Sequence, residues 1–297
     1  MHRITAPGWL LAVALAACCQ QVACGADDSQ PDRPRHSADG VLWRADGSEP
    51  IYREWASYAT GDSCWARGTA LTTPGRASSR VHRTSRVAPP GFTRSYVFRL
   101  VDGDYCSGER TEVGQGNPVK PALSGRVFHE GDDVWIGYQF LVPDSATARV
   151  PTWQCLGQFK APGRGGPVLC AALTDNRLSI QHATSIEQSS VGLRSLWVAS
   201  RSVRRERWLR YLFHIRFSSN PRKGLVEFWA DLADGRGLRL RIPRTRLFTM
   251  KGGGPAAVHP RIGIYRDQNA VGDARAYFAG YTVGTKRKAV EASAYGR

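Results

Sequence analysis

Residues 208–217, WLRYLFHIRF, set Leu209, Tyr211, Phe213, Ile215 and Phe217 on one side of an extended chain and Arg210, His214 and Arg216 on the other. Alternation of period two marks a strand with one buried face, because successive side chains point to opposite sides of the pleat. A helix would scatter the same apolar set around its circumference and bury none of it well. SSNPRKG (218–224) follows as a turn-rich connection, and LVEFWAD (225–231) is a second strand, so the pair reads as a hairpin. ADGRG (233–237) is another turn, leading into LRLRI (238–242). Further strands are expected at 96–101, 134–142, 153–160, 168–173, 178–182, 193–199, 261–265 and 276–283, and no long segment has helical period. Many short strands with frequent turns point to an all-β chain, a two-sheet antiparallel sandwich or jelly roll. Several strands carry polar or basic residues on one face, which suits a sheet packed on one side and open to a groove on the other.

The N-terminus is a different kind of segment. Arg3 precedes an apolar run at 9–17, WLLAVALAA, far shorter than the ~20 residues a membrane span needs. Residues 1–26 read as an export signal, outside fold reasoning. Leu15, Ala16, Ala17 and Cys18 resemble a bacterial lipobox with Cys18 as the lipid-bearing residue; the alternative is cleavage near Ala26 and free secretion. Residues 27–40 are polar and Pro-containing and read as a linker, and 41–297 as a single domain without internal repeat. The expected location is extracellular or at the cell surface, with membrane contact only through the lipid anchor.

Removing the leader leaves Cys64, Cys106, Cys155 and Cys170. An even number in an exported chain suggests two disulfides. Three pairings exist, and Cys64–Cys106 with Cys155–Cys170 is favoured because the second pair lies on neighbouring expected strands. No C-x-x-C spacing occurs, so no metal site of that kind is expected. Asp132 and Asp133 offer oxygen ligands for a structural calcium, although a solvated turn is the plainer reading. Lys and Arg total 41 against 25 Asp and Glu, a balance of +16, which predicts an anionic partner. Export makes nucleic acid an improbable partner, and no nucleic-acid motif is present.

Three stretches can place chemistry on one sheet face. In GERTEVG (108–114), Arg110 and Glu112 share a face. In WQCLGQFK (153–160), Gln158 and Lys160 share a face, with Trp153, Cys155 and Phe159 on the opposite one. In HPRIGIYRDQ (259–268), His259, Arg261, Gly263, Tyr265 and Asp267 point one way. Arg, Gln, Lys and Tyr together suit β-elimination on a uronic-acid polymer. The sugar carboxylate must be neutralised so that the adjacent carbon can lose its proton, which cations and amide donors do. A base must take that proton and an acid must protonate the leaving glycosidic oxygen. The chemistry requires neither a metal nor an organic cofactor.

In order along the chain, RTEV (110–113), HEGDDVWIGYQFLVPD (129–144), QFK (158–160), RERWLRYLFHIRFSSNPRKGLVEFWADL (205–232) and PRIGIYRD (260–267) resemble the signatures of jelly-roll polysaccharide lyases. The likeness is closest to the heparin lyase type I family, with glucuronan lyases and the alginate lyases of the R-T/S-E, Q-I-H and Y-F-K-A-G-x-Y-x-Q motifs as relatives. It covers residues 90–285 and is collinear. The resemblance implies a concanavalin-like β-jelly roll with a groove for an acidic polysaccharide such as glucuronan, a heparin-like polymer, hyaluronan or alginate. It implies Arg110 and Gln158 as carboxylate-neutralising residues and Tyr265 as general acid, either in that role alone or as the base too. The histidine of Q-I-H is Lys160 here, which either acts as base after its pKa is lowered or only binds the carboxylate. Arg261 stands where the relatives carry Lys, and His259 where the alginate enzymes carry their first Tyr.

The remaining candidates have plainer alternatives. Glu112 is a substrate-binding candidate or a salt-bridge partner of Arg110. His214 is a groove residue or a bystander, and His129 a loop residue. The Arg-rich run at 201–210 binds anions or is a solvated strand start, and the Gly-rich loops at 161–167 and 251–255 are candidate groove walls. A non-catalytic lectin-like module on the same fold is the competing function. A glycoside hydrolase ranks lower, because Glu227 and Asp231 form no convincing carboxylate pair.

Overall fold

The alternating segment forms the strand Leu209–Arg216, hairpinned to Leu225–Asp231. The computed structural model describes residues 39–60, 63–67, 79–102, 104, 109–115, 127–144, 153–161, 165–252, 257–267 and 269–297. In chain order the described strands begin with β1 (Val41–Ala45), β2 (Ser57–Thr60), β3 (Ser63–Arg67), β4 (Val81–Thr84), β5 (Ser95–Leu100), β6 (Glu109–Gly114), β7 (Phe128–His129) and β8 (Asp133–Leu141). They continue with β9 (Trp153–Lys160), β10 (Leu169–Thr174), β11 (Arg177–Ala183), β12 (Leu193–Val198), β13 (Leu209–Arg216), β14 (Leu225–Asp231), β15 (Arg239–Arg246), β16 (Ala257–Arg266) and β17 (Ala274–Gly284).

Two antiparallel sheets result. The first runs β15-β14-β13-β8-β17-β5-β4, with β1 also on β17; the second runs β12-β11-β10-β9-β16-β6-β2-β3, with β7 also on β16. The last two strands are not neighbours. β16 lies between β9 and β6, and β17 between β8 and β5, so each sheet is closed at its centre by a C-terminal strand. This is the expected all-β jelly roll.

Period two decides what lies between the sheets. Tyr211, Phe213, Ile215 and Phe217 are buried in one core with Leu156, Phe159, Ile262 and Ile264 of the second sheet. Phe213 meets Phe159 edge to face at 5.8 Å. Each such side chain contributes roughly 1.5–3 kcal/mol on burial.

Several expectations change. The C-terminal helix Arg287–Tyr295 was not expected. Its signals were local: alanines throughout and Gly296, which ends it in the left-handed conformation at φ 64. It packs on the outer face of the first sheet, where Gly137 leaves room for it; a Cβ there would lie 2.8 Å from that of Ala294. Strands β1 to β4 were also not read, and the strand at 238–242 extends to Arg246. Cys155 and Cys170 are bonded. Cys106, Cys18, the leader and most of the linker lie outside the described residues, so the Cys64–Cys106 pairing does too.

Candidate active site

β6, β16 and β9 are adjacent in the second sheet and carry the polar candidates. On β16, Ile262 and Ile264 face the core, so Arg261, Gly263 and Tyr265 take the opposite face. Register then assembles the set. Tyr265 pairs with Arg110, Gly263 with Glu112, Arg261 with Gln158, and His259 with Lys160. Gly263 has φ 134, and a Cβ there would lie 2.3 Å from the Thr111 carbonyl oxygen, so only glycine fits this crossing.

β9 departs from simple alternation. Ala171 pairs with Gly157 but Ala172 with Cys155, leaving Leu156 as an extra residue in a β-bulge. Leu156 and Phe159 both enter the core, an odd spacing that strict alternation forbids. The bulge turns Cys155 and Trp153 onto the face of Gln158, correcting the expectation that they share a face with Phe159. The Trp153 ring meets Tyr265 edge to face at 4.8 Å, and Tyr265 and Leu193 both pack against the cluster of Cys155, Cys170 and Ala172.

The centre of the site is a buried carboxylate among cations. Gln158 Nε2 donates to Glu112 Oε1 at 2.5 Å, and Glu112 Oε2 lies 3.6 Å from Arg110 Nη1. The Arg110 guanidinium covers the Tyr265 ring at 3.9 Å. Glu112, Gln158, Arg110 and Arg261 are all buried. Burial, partly opposed by Glu112 and reinforced by Arg110, brings Arg261 down to about 10. It therefore stays charged at neutral pH. Lys160 is pushed down to about 7 by burial and then by the charges of Arg261, Lys251 and Arg110. His259 is pushed to about 3 by burial and by Arg261, Lys160 and His129, and neither of its buried ring nitrogens has a hydrogen-bond partner. Lys160 and Tyr265 are only half-buried, so they are the members of the set that a ligand reaches first.

Other candidates fall elsewhere. His214 is a correction: it lies on the outer face of the first sheet, because Phe213 and Ile215 take the core side of β13. Its Nδ1 is 2.6 Å from Glu227, its Nε2 is 2.7 Å from Asp133, and its ring stacks on Trp135 at 4.3 Å. Asp133 is thus engaged within the fold, as is Asp132, which accepts the His129 N–H at 2.8 Å. Part of the Arg run serves the scaffold too: Arg204 donates to the Ala233 carbonyl, Arg205 to that of Pro143, and Arg210 pairs with Asp231.

Sequence reasoning missed Lys251, a buried cation that donates to the Ser190 carbonyl and repels Lys160. Its position before a Gly run was visible, but its approach to β9 was not. The Gly166 N–H also donates to Ser190, and the Gly252 N–H to Ile186, so described parts of both Gly-rich loops meet the β11–β12 connection. Residues 162–164 and 253–256 lie outside the described residues. Chemically, the face offers fixed positive charge, one internal counter-ion, a low-pKa amine and a phenol.

A family profile described as polysaccharide lyase matches residues 55–282. No curated protein matches. Among solved structures, the endo-β-1,4-glucuronan lyase from the fungus Trichoderma reesei superposes with TM-score 0.59 at 16% identity, covering 86% of this chain and 98% of that one. The marine PL-14 alginate lyase from Aplysia kurodai gives 0.53 at 10% identity, covering 83% and 99%. A GH131 β-glucanase catalytic domain from Podospora anserina gives 0.52 at 14% identity, covering 78% and 85%. At these identities the likenesses show a shared fold.

Proposed function

The chain belongs to the polysaccharide lyase family, and from that premise we propose that it cleaves a uronate-containing polysaccharide by β-elimination on the face formed by β6, β16 and β9. The observation that carries this reading is the charge arrangement. Arg110, Arg261 and Lys160 lie around the buried carboxylate of Glu112, and Lys251 adds a fourth positive charge beside Lys160. A second negative group is therefore attracted, and a uronate carboxylate supplies it.

The roles follow from position. Arg110, Arg261 and the second amide hydrogen of Gln158 hold the carboxylate, which acidifies the adjacent C5–H. Glu112 does not bind an anionic substrate in this reading; it aligns Gln158 and Arg110. The neutral amine of Lys160 takes the C5 proton, the C4–C5 double bond forms, and the C4–O bond breaks as Tyr265 gives its proton to the leaving oxygen. No water is consumed, and the new non-reducing end is unsaturated. Hydrolysis instead needs two carboxylates flanking the bond. Glu112, held by Gln158 and Arg110, does not provide such a pair.

Glucuronan, alginate, heparin and hyaluronan all carry the required carboxylate; the collinear motifs resemble the heparin lyase type I family most, and the fold is shared with a glucuronan lyase. The test is incubation with each polymer while following ultraviolet absorbance of the unsaturated product. Absorbance is expected to rise with at least one polymer and to fall about 100-fold or more in rate with Tyr265→Phe. Binding without absorbance change on any of the four would make the chain a lectin-like module. Export belongs to the same proposal, supported by the Cys155–Cys170 bond, which suits an oxidising compartment. The mass of the mature N-terminus separates an acylated Cys18 from cleavage near Ala26, and an unprocessed chain overturns export.

A further inference from the structure

The cations of the site attract any uronate, since every such sugar carries the same carboxylate. Discrimination among uronates must come from ring shape. Trp153 is the only aromatic residue among the exposed large apolar side chains of the described residues, with 36% of its surface open. Large exposed apolar surface beside a polar cluster marks a contact surface. The bulge in β9 turns this indole onto the site face instead of the core. Its edge-to-face contact with Tyr265, at 4.8 Å and 79°, fixes the ring plane. Tyr265 is itself held by Arg110 and by packing on the cluster of Cys155, Cys170 and Ala172, so the two rings form a rigid corner. A pre-ordered aromatic face loses little entropy when a ligand covers it.

We propose that Trp153 is a stacking subsite for the pyranose ring next to the bond on which Tyr265 acts, and that it favours an all-equatorial β-linked glucuronate. Such a ring presents only C–H bonds on both faces and lies flat on an indole, whose electron-rich face attracts polarised C–H groups. Mannuronate and guluronate carry axial oxygens, which interrupt that flat contact. The proposal rests on the lyase reading for its position beside the cleaved bond, but not for the stacking itself.

The experiment compares wild type, Trp153→Ala and Trp153→Phe on glucuronan and alginate, with kcat and KM separated and with retardation in glucuronan-containing gels run in parallel. Trp153→Ala is expected to raise KM for glucuronan about tenfold and to lose retardation, with a smaller change on alginate, while Trp153→Phe keeps most of both. An unchanged KM and unchanged retardation overturn the subsite. So does a fall in kcat alone, which would make Trp153 a brace for Tyr265. Equal KM increases on both polymers overturn the preference. If no polymer yields unsaturated product, the lyase reading fails, and the gel retardation still decides whether Trp153 stacks on the sugar.

Discussion

Lys160 shows how much a residue's role depends on its surroundings. A solvated lysine is fully charged at neutral pH and cannot take a proton. Here burial, with Arg261, Lys251 and Arg110 nearby, lowers it to about 7, so about half is a free amine at that pH. The base must be deprotonated to act, so kcat/KM is expected to rise through about pH 7 and level off above it. Lys160→Ala should lose about 100-fold in rate and the rising limb together. If the limb persists in that variant, measured across the same pH range, Tyr265 performs both proton transfers. His259, the register partner of Lys160, is held neutral above about 3 and adds no charge to repel the amine. That Arg110 shares a face with Glu112, Gln158 with Lys160, and Arg261 with Tyr265 was readable from parity within each strand. The lowered pKa of Lys160 was not, because Lys251 reaches it from a loop 91 positions later in the chain.

At the scale of elements, the β9 bulge and the disulfide act together. The extra residue Leu156 feeds the core, and the turn it imposes brings Cys155 beneath Tyr265 and within bonding reach of Cys170. Cys170 is also the ladder partner of Gln158, so the bond ties the strand that carries one site residue to the packing of another. Closing a loop with a sequence separation of 15 contributes about 3 kcal/mol. Replacing both cysteines by alanine should lower unfolding free energy by about that amount in denaturant titrations and reduce kcat. A stability loss with kcat unchanged would show that the bond supports the fold and not the site. The pairing was readable because both cysteines fall in expected strands. The face they occupy was not, since one inserted residue reverses the parity of everything before it.

For the whole molecule, the +16 balance and the site's cation cluster make polymer capture electrostatic. Raising salt from about 0.01 M to about 1 M shortens the screening length from about 30 Å to about 3 Å. KM for the acidic polymer is expected to climb across that range, while kcat changes little because Arg110, Gln158 and Arg261, which hold the bound carboxylate, are buried and weakly screened. A KM independent of salt, in the same steady-state assay, would assign capture to contact surface alone. The sequence by itself determined the strand-rich class, the hairpin at its centre and the polar faces of β6 and β16, because period two is a local property of the backbone. Only the tertiary structure decided which faces meet. Placing β16 between β9 and β6 sets Tyr265 against Arg110, Arg261 against Gln158 and His259 against Lys160, and the same packing sends His214 to the far side of the other sheet. Those pairings join residues up to 155 positions apart. Their register is set by what both sheets can bury together, which no local pattern contains.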